Sequence, residues 1–180
     1  GPYMRPHPLY QAAFWQGIRD LDRALGTLFS YLETHYEPDE YLITLYSDHG
    51  NAIFSPDHYI VDTQITGAAW MMCGRGVPAG VVSSDMTSLV DIYPTLGHLL
   101  GFPVGSHVDG VLPKIFGGPG REIAYSQSLY PGKEYYLAAR SASHTLCVST
   151  EEPLSMDGKV DLAKAKVRIY PRDHENEEGY

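Results

Sequence analysis

Six apolar residues place the firmest constraint on this fold. Phe14, Ile18, Leu21, Leu25, Leu28 and Leu32 recur at spacings of 4, 3, 4, 3 and 4. That period draws one apolar stripe along a helix running from about Tyr10 to Tyr36. Arg19, Asp20, Asp22 and Arg23 fall mostly on the other face. A helix with one such stripe buries it against another element, so we expect it to pack on a sheet. Glu37-Pro38-Asp39 ends it, because the residue before proline is pushed away from helical geometry. The next run, Tyr41 to Tyr46, is short, β-branched and aromatic, and reads as a buried strand. Helix, strand and polar loop in that order point to an α/β fold.

The remainder follows the same logic. A second strand covers about Ala68 to Cys73 and enters the glycine-rich turn Gly74 to Gly80. Ser88 to Leu100 reads as a helix with Leu89, Ile92, Leu96, Leu99 and Leu100 inward. Pro94 costs little if the helix proper starts near Asp91, which would cap it. Gly101 suits the residue just past the helix end. After Arg121 the pattern becomes strand-like, at Ile123–Leu129, Glu134–Arg140, Thr145–Thr150 and Val167–Tyr170. Asp157-Gly158 is a hairpin signal, and Asp161–Lys166 suits one helical turn. We therefore divide the chain into an α/β part, residues 1–120, and a small antiparallel β part with an acidic tail, residues 121–180.

Composition narrows the partners. The chain has 180 residues and a net charge of −9. An excess of carboxylates argues against nucleic acid or an anionic membrane as partner. A small anionic substrate stays compatible, because a metal or local field overrides net charge. No apolar run approaches the roughly 20 residues that span a bilayer, and no signal-peptide pattern opens the sequence. We expect a soluble chain, with its compartment open. Cys73 and Cys147 lie in apolar runs and read as small buried hydrophobes.

The strongest chemical signal is Ser47-Asp48-His49-Gly50, directly after the first strand. In α/β sheets, ligands sit outside the carboxyl ends of the strands. Asp offers a hard oxygen ligand and His a nitrogen. Gly50 permits the backbone turn that brings both toward one ion. A helix-capping or turn aspartate beside a hydrogen-bonded histidine is the alternative.

Several blocks, in order, resemble the second half of a sulfatase of the alkaline phosphatase superfamily. They are Ile18–Gly26, Leu42–Gly50, Gly74–Gly80, Leu89–Leu96 with its Asp-x-x-Pro-Thr start, Val108–Pro113 with its Asp-Gly, and more weakly Arg168–Asn176. The resemblance implies an α/β sandwich around a mixed sheet, followed by a small antiparallel C-terminal sheet. It implies hydrolysis of a small anionic ester, a sulfate ester in sulfatases. It also implies a divalent metal, usually calcium, and a formylglycine nucleophile. Carried over, Asp48 and His49 match the second pair of metal ligands. Many sulfatases have Asn at the His49 position. Sulfatases usually place a lysine in the following loop, yet no Lys stands between Asp48 and Lys114. His58 falls near that position and is the candidate catalytic group, stabilising the ester oxygens or protonating the leaving group. His107, beside Asp109-Gly110, is a candidate substrate-binding residue. Tyr125, Tyr130, Tyr135 and Tyr136 are candidates for an aromatic wall.

The family's nucleophile motif, Cys/Ser-x-Pro-x-Arg, is absent from these 180 residues, as is its first pair of metal aspartates. We expect the chain to be the C-terminal part of such a hydrolase, working with the missing N-terminal half and inactive alone. Metal-dependent turnover of aryl sulfate or aryl phosphate by the chain alone, at the level of an intact enzyme, would sink that expectation. Two alternatives stand beside it. One is a phosphodiesterase, phosphonate hydrolase or phosphoryl-transfer enzyme of the same superfamily. The other is a non-catalytic binding or assembly module. An interface left open would favour self-association, so a homo-oligomer is expected; a clean monomer in light scattering at high concentration counts against it.

Overall fold

The computed structural model describes residues 8–51, 61, 63–129, 134–153, 159 and 161–172. Helix α1 spans Pro8–His35, within two residues of the expected bounds. Its stripe is not covered as expected. Ile18, Leu21 and Leu28 are each 43–49% exposed. The physical reason is that, among the described residues, no other helix or strand packs broadly along it. Strand β1, Leu42–Tyr46, pairs antiparallel with β2, Trp70–Gly74, from Leu42 opposite Gly74 to Tyr46 opposite Trp70. Both are half-buried rather than buried, with residues of either face part-covered. The Trp70 indole N–H donates to Thr44 Oγ1 at 3.1 Å across the pair.

Beyond β1 the pairing continues as a loop clamp. Ser47 N–H donates to the Ala69 carbonyl, and Ala69 N–H donates back to Ser47 Oγ at 2.9 Å. Gly50 N–H donates to the Ile65 carbonyl at 2.6 Å. A short helix, α2 at Thr63–Thr66, passes close by. A Cβ on Gly50 would lie 2.2 Å from the Gln64 carbonyl oxygen and 2.7 Å from that of Gly67. The glycine is needed for this close approach, rather than for a left-handed turn, since Gly50 is not among the positive-φ residues.

Helix α3, Ile92–Leu100, follows a 3-10 turn at Leu89–Asp91. Pro94 sits in the first turn, where its missing N–H has no intrahelical partner to lose. Gly101 takes φ 75°, and the N–H groups of Gly101 and Phe102 both reach the Gly97 carbonyl. The helix end is therefore as the sequence reads. The inward face is smaller than expected: Asp91, Pro94, Thr95 and Gly97 are buried, while Leu100 is exposed. Nor does Asp91 cap α3 with its side chain. Its carboxylate instead accepts from Ser88 N–H at 2.9 Å and from Val111 N–H at 2.9 Å. Arg121 completes the cluster, with Nε at 2.9 Å and Nη2 at 2.5 Å from the two carboxylate oxygens.

Gly110 lies against this cluster. A Cβ there would stand 2.1 Å from the Val90 carbonyl oxygen and 2.9 Å from Pro94 Cδ. Backbone cannot yield as a side chain does. Gly110→Ala is expected to destabilise the fold by about 1–3 kcal/mol, the usual cost of overpacking. Urea unfolding checks this; an unchanged midpoint would show that the loop moves aside freely.

The last third is a four-stranded antiparallel meander in the order β3-β4-β5-β6. The strands are Ala124–Ser128, Glu134–Arg140, His144–Pro153 and Lys166–Pro171. The β4–β5 turn is tied by Ser141, whose Oγ accepts from His144 N–H at 3.0 Å. Ala138 and Thr145 are fully buried within the sheet, and Tyr170 nearly so. The expected helical turn is a 3-10 turn at Leu162–Lys164. The hairpin signal Asp157-Gly158 lies outside the described residues. The observed architecture is mixed helix and sheet with two antiparallel sheets. Among the described residues, no helix is long and apolar enough to cross a membrane.

Candidate functional site

Asp48 and His49 stand at the carboxyl end of β1, where the strand hands over to the Ser47–Ala69 clamp. Asp48 Oδ1 accepts from the His49 N–H at 3.0 Å, which fixes the carboxylate over its own turn. His49 Nδ1 lies 2.5 Å from the Gly50 carbonyl oxygen. A carbonyl only accepts, so Nδ1 carries the proton, and a neutral ring then keeps its lone pair on Nε2. That Nε2 is 3.6 Å from Asp48 Oδ2. Two donors at right angles on a calcium-sized ion, each about 2.3–2.6 Å from it, lie roughly 3.3–3.7 Å apart. The pair therefore suits one shared cation on geometry and on donor chemistry. Two ligands do not fill a coordination sphere, and among the described residues no group of three or more His, Cys, Asp and Glu converges as metal ligands would.

Both side chains line a cavity of about 510 Å³. Its other walls come from α2 and the start of β2, from the Asp85–Leu89 segment, and from β3. Tyr125 and Gln127 share one face of β3 and both line it. Arg140, from the end of β4, and Arg172, just past β6, are the two arginines on its wall. Arg140 is buried, and its guanidinium donates to the Val61 carbonyl and to Thr63 Oγ1, bracing the α2 segment against the meander.

The other candidates scatter. His107 is exposed in the loop after α3 and does not line this cavity. His58 and Tyr130 lie outside the described residues. Tyr135 and Tyr136 are not on the cavity wall, so of the three described tyrosines Tyr125 alone is placed there. Cys73 is half-buried and unpaired, and burial pushes its thiol pKa up, away from nucleophile chemistry. Arg140, Arg172 and Asp85 escape the sequence reading. A basic residue at a strand end, or an aspartate in a loop, is too common a signal to single them out.

Comparison with known proteins gives one likeness to report. The chain is 26% identical to human (Homo sapiens) arylsulfatase K over 103 residues, which is 56% of this chain and 19% of that protein. The chain thus matches less than a fifth of the relative's length. No protein-family model matches it. The likeness to a sulfatase is weak, and it runs in the same direction as the sequence motifs.

Proposed function

We propose that this chain supplies one wall of the active site of a sulfatase-like hydrolase that cleaves sulfate esters. The observation that carries it is the Asp48–His49 pair, with Nε2 left as the acceptor at a strand end on a cavity wall. The cavity volume lies inside the ~300–1,000 Å³ range of small-molecule sites. In this reading Asp48 and His49 hold a divalent cation, calcium by the family's habit, together with ligands from outside these 180 residues. When bound, such a cation supplies Lewis-acid polarisation of ester oxygens. The formylglycine nucleophile comes from the same outside segment, and the chain by itself is inactive. Through that cation Asp48 and His49 would orient one end of the anion, while β3 presents Tyr125 and Gln127 to the group that leaves. The fold in this reading is the second half of the alkaline phosphatase-type α/β sandwich. A phosphate ester is the second reading, favoured by His rather than Asn at position 49 and by the absent lysine.

Paramagnetic broadening tests the metal pair. Titrating the isotopically labelled chain with Mn²⁺ is expected to broaden the His49 ring signals and the Asp48–Gly50 amides first. Uniform broadening, or broadening centred elsewhere, would remove the basis for the proposal.

A further inference from the structure

We propose that Arg172 is the cation that contacts the substrate's oxyanion, in the role for which sulfatases usually carry a lysine after the metal loop. This rests on the hydrolase reading above and deepens it. The chain has no lysine between Asp48 and Lys114. A tetrahedral oxyanion entering the Asp48–His49 cavity nevertheless meets two carboxylates on its walls, Asp48 and Asp85. In a chain of net charge −9, such a site needs a cation of its own.

Two arginines line the cavity, and they differ in what they do. Arg140 is buried and held by the Val61 carbonyl and the Thr63 hydroxyl. It serves the packing of α2 on β4. Arg172 is exposed and forms no ion pair with any described residue. Its backbone is fixed all the same, because Arg172 N–H donates to the Ser143 carbonyl at 3.0 Å. A rigid anchor with a free planar fork is the arrangement that recognises sulfate or phosphate oxygens in pairs. The position is at the end of β6, so the residue reaches the cavity from the β meander rather than from the metal loop. Arg172 and the cation-holding pair Asp48–His49 would then meet the anion from separate elements.

The test is a titration of the full chain with inorganic sulfate at constant ionic strength, followed by amide chemical shifts. Saturable shifts in the cavity are expected, with affinity falling at least about 10-fold in Arg172→Gln and only partly restored in Arg172→Lys, which keeps the charge but not the fork. Wild-type affinity in Arg172→Gln, or no saturable binding by the parent chain, overturns the proposal. Inorganic phosphate is run in parallel, and the same dependence on Arg172 is expected whichever anion binds more tightly. Mn²⁺ broadening on the same samples separates the two ideas. Retained broadening at His49 with sulfate binding indifferent to Arg172 removes this inference alone. Lost broadening with sulfate binding still dependent on Arg172 removes the metal reading instead.

Discussion

Asp91→Ala is expected to lower stability by about 3–5 kcal/mol, the cost of breaking a buried ion pair from one side. The carboxylate is 1% exposed and Arg121 12%. Removing it strands a guanidinium and two backbone N–H donors, those of Ser88 and Val111. Those groups join three stretches, the entry to α3, the Asp109–Val111 loop and the start of the β meander. For a chain of this size each kcal/mol moves the melting temperature by roughly 2–4 °C, so a fall of about 6–20 °C is expected. A change below 1 kcal/mol would show that water replaces the pair at little cost. Arg121→Lys keeps the charge but loses the two-pronged contact, and should fall between.

The same residue sets a pH dependence. Burial by itself raises the Asp91 pKa. Hydrogen bonds from Arg121, Val111 and Ser88, together with the Arg121 charge, outweigh it and hold the carboxyl below its usual value. Its stabilising contribution is therefore complete above the unfolded carboxylate pKa of about 3.9 and is lost as pH falls through the lower folded value. Thermal unfolding between neutral and acid pH should show that loss in the parent protein, and a smaller one in Asp91→Asn.

None of this is visible locally in the sequence. Asp91 reads as a helix cap because it opens an apolar helix, and thirty residues separate it from Arg121. The elements themselves are legible. Glu134–Arg140 is a strand over the expected range, around the aromatic pair Tyr135-Tyr136, and Gly101 ends α3 because few residues adopt φ 75° at low cost. What pattern does not carry is partnership. The run Leu42–Tyr46 declares a strand, but not that its neighbour is antiparallel β2. The stripe of α1 declares an apolar face, but not what covers it. The site divides in the same way. Asp48 and His49 stand out because two ligand types follow a strand directly. Arg140 and Arg172 join them only through the folding of the meander, from positions that are remote in sequence.

Asp48→Ala should separate site from scaffold most sharply. The Asp48 side chain is 88% exposed, so its loss should change stability by no more than about 0.5 kcal/mol, as for ordinary surface positions. Its effect on turnover should be large. Loss of a residue that merely orients a metal ligand costs about 10–100-fold. A ligand itself should cost at least as much as the upper end of that range. On the proposed reading, the measurement is metal-dependent hydrolysis of an aryl sulfate by a protein that joins this chain to a segment carrying the nucleophile. His49→Gln should act in the same direction. Gln can offer a side-chain oxygen but not the ring nitrogen that the Gly50 carbonyl leaves unprotonated. His98→Ala serves as the control, for that side chain is exposed on α3 and does not line the cavity. Excess calcium should partly restore Asp48→Ala if the loss lies in metal affinity. Equal activity in the parent, Asp48→Ala and His49→Gln proteins would mean that the strand-end pair is a turn and its hydrogen-bonded neighbour, and that the cavity's chemistry lies with other residues.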